Sequence, residues 1–518
     1  MTDRQTDRQT DRQTDRQTDL LTKIIGLFTI ALFAIILFSK CFYLFDILPV
    51  PIAVAGCIAV LLLIILALKF NRVIISAFHT ILSKLESLSY SKRLIIIICL
   101  SLVTKIVSII VLRINSIDDH SDIDVYVTTS QDLVELGYAQ HHANYCYSFS
   151  HMYWFAVFLT PITALFGVSQ MSYSFYMAIV LTIVAVVLFD LVAYASNKEC
   201  AFICVLLLLL LPSQILLPQY ITHEIASLLF LSLFLWFYYK KYQQAESKMK
   251  KGLFLVLSLL SLFFCSALNS LGLVAIIAAF IIFIVEWIRK RNKQAIISTI
   301  VKSSALILVF LLGTFLLGEF QVNHSKLDSQ KIPNNKVLWT LYVGSNYESK
   351  GEWFQDEKWD DYPESYDSQQ IDTYHKELIL DHYKDLLNPP TKLINHIKNK
   401  CVTIWGDFVY PVGYSNETIS NEGIRQIYNR YLFKPLSLLN YFLLLAIAVL
   451  GLVGLIKGRK TNKSPFFVFC ELYLLGTTAL LLIAECRNKY TISIVPLFII
   501  VSLMINNNER SIEKSLSE

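Results

Sequence analysis

The chain has 518 residues, of which 55% are hydrophobic and 16% charged, with a mean hydropathy of +0.53 and a formal net charge of +5. A soluble domain carries roughly 25% charged residues, and runs of about 20 apolar residues, each long enough to cross hydrocarbon as a helix, recur here from end to end, so a soluble fold is excluded. The basic residues sit in short clusters between apolar runs, which excludes a nucleic-acid binder, and the ten Cys show no CxxC or Cys/His spacing of a disulfide framework or a zinc site.

In chain order, residues 1–19 are a Met, four copies of Thr-Asp-Arg-Gln and a trailing Thr-Asp. With alternating charge and nothing apolar, this tract is expected to be disordered. A misassigned start or an expanded nucleotide repeat accounts for it more readily than a role in function. Twelve spans follow, at 20–39, 49–70, 94–113, 173–195, 200–217, 222–239, 252–268, 270–288, 301–319, 434–456, 465–484 and 490–506. They divide the chain into an N-terminal transmembrane pair (20–92), a transmembrane core (93–319) with a loop at 114–172, a polar segment (320–433), and C-terminal transmembrane helices with a cytoplasmic tail (434–518).

The stretch from Tyr153 to Gly167 is apolar but short, and Pro161 interrupts it. Basic loops favour the cytoplasm, and those at Lys69–Arg93, Lys240–Lys251, Arg289–Lys302 and Lys457–Lys463 all fall on one side only if 153–167 does not cross. It is therefore expected to be a re-entrant or interfacial helix on the outer side. The same topology places the loop 114–172, the turn Pro218–Glu224, the segment 320–433 and the turn Glu485–Tyr490 outside. Ionisable residues at a membrane boundary are costly unless they face protein or water, and their gathering in these four places predicts one outward-facing site.

The densest cluster is Asp118-Asp119-His120-Ser121-Asp122-Ile123-Asp124-Val125-Tyr126. If a helix starts at Asp122, Tyr126 lies one turn away on the same face. A solvated loop with ordinary Asp capping is the plain alternative, and the spacing does not match a calcium loop. Aromatics crowd Tyr145 to Trp154, as in an interfacial belt or a carbohydrate-stacking surface. His223 and Glu224 open an apolar span, where Glu suits the positive helix end. Glu485, Arg487, Lys489 and Tyr490 lie in a turn between two spans; the cations either snorkel or hold a phosphate. The segment 320–433 contains Trp339, Trp353, Trp359 and Trp405 and no run long enough to span, so a small α or α/β cap that helps to choose an acceptor is expected there.

The motif order carries a resemblance. Ser121-Asp122-x-x-x-Tyr126 is followed by Gly137, Phe149-x-His151-x-x-x-Phe155, Leu165-Phe166-Gly167, Leu211-Pro212-Ser213, Thr222-His223-Glu224, the stretch Tyr342 to Trp353, and Glu485-x-x-x-Lys489-Tyr490. From about residue 90 to 506 the chain resembles the bacterial GT-C glycosyltransferases, the class that includes protein O-mannosyltransferases and the lipid A aminoarabinose transferase (glycosyltransferase family 39-like). The resemblance implies a GT-C type α-helical polytopic fold in a bacterial plasma membrane with its active site on the outer face. It implies transfer of a hexose or pentose from a polyprenyl-phosphate carrier to a hydroxyl on a glycan, lipid or protein. Asp122 takes the family's catalytic position, with Asp124 its nearest rival, and Glu224 the acidic position opening a later helix. Tyr126, His151, His223, Glu224, Glu485, Arg487, Lys489 and Tyr490 become substrate-binding residues. Lys489 stands where the family has Arg, keeping the charge but losing the bidentate fork, and Ala267-Leu268-Asn269 stands where relatives often have Arg-Pro. No cofactor and no metal ligand set is implied, and the need for a divalent metal stays open.

The chemistry fits the residues. A positioned carboxylate takes the acceptor proton, phosphate is already a good leaving group, and basic side chains stabilise its charge. A single base implies one displacement and inversion. Two alternatives stand beside this: a transporter or flippase of lipid-linked sugars, and a polysaccharide polymerase or ligase. Against transport, the two halves show no internal repeat, and Asp190 is the clearest charge inside a span.

Overall fold

The computed structural model describes residues 2–70, 73, 80–81, 83–117, 122–290, 293–326, 336–354, 357–359, 361, 363, 366–406, 410–457 and 464–504. Regular structure among them is helical, and two isolated bridges, Ile114 with Ile419 and Ala139 with Ser325, are their only strand-like pairings. The chain is thus an α-helical polytopic membrane protein. The helix ends follow from local chemistry. Ser89, Asn197, Ser247 and Ser464 each accept a hydrogen bond from a backbone N–H of the first turn, satisfying groups that have no partner inside a helix.

Nine helices among the described residues are long and apolar enough to span, or ten if a bent pair is one span, rather than the expected twelve. Three places account for the difference. The span at 200–217 is bent by 68° between Lys198–Leu210 and Pro212–Gln219, because Pro212 lacks the N–H that would continue the helix and holds Leu211 extended. The span at 222–239 is a 14-residue helix, His223–Trp236, that passes into a π-helical turn, Phe237–Tyr242. The last span begins as a 3-10 turn, Asn488–Ser493, before the 10-residue helix Val495–Met504. Ser150–Phe166 is a 17-residue helix, about 25 Å long and so short of a hydrocarbon core of about 30 Å.

The first helix runs Thr2–Ile47, so the repeat expected to be disordered is helical instead. The apolar helix beyond it supplies the nucleus, from which propagation outward costs little.

The interior is packed by Gln170–Ala195, Lys198–Leu210, His223–Trp236, Lys248–Leu268, Pro465–Ile483 and Val495–Met504, whose buried faces carry Leu188, Leu231, Leu262, Cys470 and Phe498. Val50–Lys69 leaves Leu61, Leu62 and Ile65 exposed, the surface a lipid-facing helix presents. Asp190 accepts hydrogen bonds from Tyr90, from Trp236 Nε1 at 2.7 Å and from Lys240 Nζ at 2.6 Å. It therefore braces helix ends beside the Lys240–Lys251 loop. Arg93 and Glu199, both buried, are paired at 2.8 Å between two further helices.

The segment after Asn323 is α-helical, with no strand among its described residues, so the α/β option is set aside. Ser368–Leu387 packs on Lys336–Ser345 around Tyr342, Trp359 and Ile379, and Trp359 stacks on His375 at 3.6 Å. The sidedness of the loops has a direct check. Single cysteines at Lys248 and Asp361 should be labelled by a membrane-impermeant thiol reagent from opposite faces of the membrane. Labelling of both from one face would restore 153–167 as a crossing helix.

Candidate active site

The loop after Leu112 turns through Arg113, which has φ 48° and caps the helix Tyr90–Leu112. A 14-residue helix, Asp122–Glu135, then places Asp122 at its N-terminal end, where the helix dipole favours a carboxylate. Asp118, Asp119, His120 and Ser121 lie outside the described residues. Lys489, from the turn near the C-terminus, places its ammonium 3.1 Å from Asp122 Oδ2. Burial pushes the Asp122 carboxyl up, but Lys489, with smaller help from His223 and Arg487, outweighs it and holds the group below its ordinary value. The side chain is one-third exposed, so an ionised carboxylate is reachable from solvent.

Behind Asp122 lies a buried relay. Tyr126, one turn along the same helix, has its hydroxyl 2.8 Å from His223 Nδ1. His223 Nε2 lies 3.5 Å from Glu224 Oε1, and Glu224 also accepts from the Thr222 hydroxyl. Burial first, then Asp122 and Glu224, push the Tyr126 phenol well above its ordinary range. The tautomer that fits these distances has Tyr126 donating to Nδ1, with the Nε2 proton on the side of Glu224 Oε1, which at 3.5 Å is left without a hydrogen bond among the described residues. His151 packs edge-on against His223, ring centroids 4.7 Å apart.

The other wall is the turn 484–490. Arg487 Nε donates to Glu485 at 3.0 Å, and its guanidinium lies 5.8 Å from the centre of the Trp353 ring. Burial works against the charge on Lys489, but Asp122 and Glu224 more than offset it and raise its pKa. Tyr490 follows directly, its ring 5.8 Å from the Lys489 ammonium.

The polar segment after Asn323 fixes this turn through backbone contacts. The N–H groups of Glu485 and Cys486 donate to Thr340 O at 2.7 Å and to Gly351 O at 2.9 Å. Lys400, fully buried, donates to Gly344 O at 2.9 Å and to Ala484 O at 2.6 Å, joining the two segments. Burial pushes its amine down to about 8, leaving it charged at neutral pH. Gly344 has no room for a side chain, because a Cβ would lie 2.3 Å from the Ala484 carbonyl carbon. Lys400→Met and Gly344→Ala should each lower the unfolding temperature in detergent and blunt any activity that needs Lys489. Lys400→Met leaves the Ala484 carbonyl without its donor, at a cost of about 1–3 kcal/mol, while Gly344 O keeps its bond from His396 Nε2, and Gly344→Ala acts through the clash with Ala484. Unchanged melting for both variants would separate the polar segment from the turn.

The structure therefore gathers Asp122, Tyr126, His151, His223, Glu224, Glu485, Arg487, Lys489 and Tyr490. It does not bring Asp124 to the cluster: that carboxylate accepts from Thr128 at 3.1 Å and faces His142 at 3.9 Å. Among the described residues the cation beside Asp122 is Lys489. Sequence reasoning missed Tyr410 and Lys400. Burial, and then Glu224, raises the Tyr410 phenol well above its usual range, and its ring packs against Tyr220 and Tyr414. Neither residue carries a motif; only Gly344 and Gly351, close together in one stretch, hint at the tight joint that Lys400 completes. Among the described residues no group of three or more His, Cys, Asp or Glu could hold a metal ion.

No family model matches the chain, and no curated protein does. Solved structures of ArnT from Cupriavidus metallidurans overlap it. The one bound to undecaprenyl phosphate has 11% identity and a TM-score of 0.32, covering 82% of this chain and 79% of that one. The apo state has 12% identity and a TM-score of 0.30, covering 80% and 77%. Overlap this loose carries no argument, and the site's own geometry has to supply it.

Proposed function

We propose that the chain is a membrane glycosyltransferase that moves a sugar from a polyprenyl-phosphate carrier to an acceptor hydroxyl on the outer face of a bacterial plasma membrane, with inversion. The observation that supports this reading is an ionised, reachable Asp122 held 3.1 Å from Lys489, with Arg487 in the same turn.

In this mechanism Asp122 takes the proton of the acceptor hydroxyl as its oxygen attacks the anomeric carbon. The bond from that carbon to the phosphate oxygen breaks, and the electron pair leaves on the phosphate. Arg487 and Lys489 stabilise the charge gathering there. As the phosphate draws Lys489, Asp122 loses part of the attraction that holds it ionised and becomes a better base when the donor is in place. His223, behind the carboxylate, adds to Lys489 in keeping it ionised. One displacement by one base inverts the sugar carbon and needs no covalent intermediate. The acceptor is a glycan, lipid or protein, with Trp353 at the mouth beside Arg487.

Comparing surface glycans by mass spectrometry with and without the chain tests this reading. Loss of a defined sugar from one surface polymer or lipid is expected. Identical glycan profiles would remove the reading.

A further inference from the structure

The helix that opens with His223 and Glu224 at the candidate site reaches the π-helical turn Phe237–Tyr242, roughly 20 Å further along its axis. π-helical turns recur at functional positions. This one borders a cavity of about 770 Å³ at the opposite end of the bundle, lined among others by Tyr239, Tyr242, Gln243, Lys251, Glu286 and Lys302. That size suits a small ligand, and nothing in the sugar-transfer reading uses it.

The polar groups in the cavity have a definite bias. Glu286, its carboxylate, already accepts from Lys302 Nζ at 2.8 Å and from the Tyr238 hydroxyl at 3.0 Å. Lys302 also reaches the Tyr238 oxygen at 2.9 Å and lies over the Tyr238 and Tyr242 rings at 5.1 and 5.2 Å. The hydroxyl of Tyr239, a residue only 6% exposed, makes no hydrogen bond among the described residues. A buried hydroxyl in that position is costly unless something else accepts from it. With Glu286 engaged, the Lys251 ammonium can only donate to a ligand, and the Tyr239 and Ser298 hydroxyls and the Gln243 amide can each donate as well. Two lysines against one carboxylate leave the cavity net positive.

We propose that this cavity binds a phosphate group, Tyr239 and Lys251 donating to its oxygens with Lys302 as the buried counter-charge. The bilayer offers such a group as the headgroup of an anionic phospholipid, and basic pockets between transmembrane helices on the cytoplasmic side take headgroups of this kind. The Lys240–Lys251 loop, which borders the cavity, is basic as that side requires. Solution phosphate is the other source of the same chemistry.

The test uses the full chain in detergent, titrated separately with dihexanoyl phosphatidic acid and with inorganic phosphate, beside Tyr239→Phe and Ser298→Trp. Tyr239→Phe removes one charge-assisted hydrogen bond and should weaken binding about tenfold. It should not lower the melting temperature without ligand, since it deletes an unpartnered hydroxyl. Ser298→Trp puts a bulky ring into the cavity, leaves less room for the ligand and should weaken binding. Tighter binding of the lipid than of inorganic phosphate identifies the headgroup as the ligand; equal binding with the same response to both variants identifies free phosphate. Absence of binding by either probe, or binding that ignores both substitutions, would overturn the proposal.

Discussion

Asp122→Asn should lower sugar transfer at least about a hundredfold, the low end for loss of a general base, with expression and carrier binding nearly intact. The substitution keeps the shape and removes the basicity. Asp122 lies at a helix N-terminus, is reachable from solvent, and is held ionised by Lys489. Asp124→Asn should be close to neutral, because that carboxylate is turned toward Thr128 and His142. The rates of the two variants, measured with saturating donor, separate the two carboxylates. Full activity in Asp122→Asn with loss in Asp124→Asn would move the base by two residues. Full activity in both would end the mechanism and favour transport.

Lys489→Met has two expected effects. Donor affinity should fall about tenfold, the loss of one charged contact to phosphate, and acceptor affinity should change less. The pH profile should also shift. The wild-type base is active when deprotonated and its carboxyl is held below the ordinary value, so its acid limb lies at low pH. Without Lys489, the burial that now opposes ionisation is left largely unopposed, the carboxyl pKa rises, and activity is lost at a higher pH than in wild type. Rates across the acidic and neutral range give both quantities. An acid limb that stays in place would mean that Lys489 does not set the charge on Asp122, and equal losses for donor and acceptor would make the turn structural.

The helical, many-span architecture was legible because hydrophobic run length is a strong signal in a membrane chain. Where the count failed, local backbone chemistry intervened: Pro212 breaks one run, a π-helical turn ends another, and a 3-10 turn opens the last. The one-turn spacing of Asp122 and Tyr126 was readable, since helical period fixes it. The pairing of Asp122 with Lys489 was not, because 367 residues separate them and no local pattern encodes which cation meets which carboxylate. Lys400 was invisible for a related reason. Its partners are main-chain carbonyls of Gly344 and Ala484, and a carbonyl carries no residue identity. The N-terminal repeat misled because its composition is polar throughout, whereas its helix is continuous with the apolar one that follows.

The most direct measurement is turnover by the purified chain in detergent, with a polyprenyl-phosphate sugar and a candidate acceptor and no sealed compartment. The account predicts that the donor is consumed, that free polyprenyl phosphate appears in step with the glycosylated acceptor, and that the new linkage has the anomeric configuration opposite to the donor's. Donor left intact in detergent, together with movement of the lipid-linked sugar across sealed vesicles containing the chain, would contradict it.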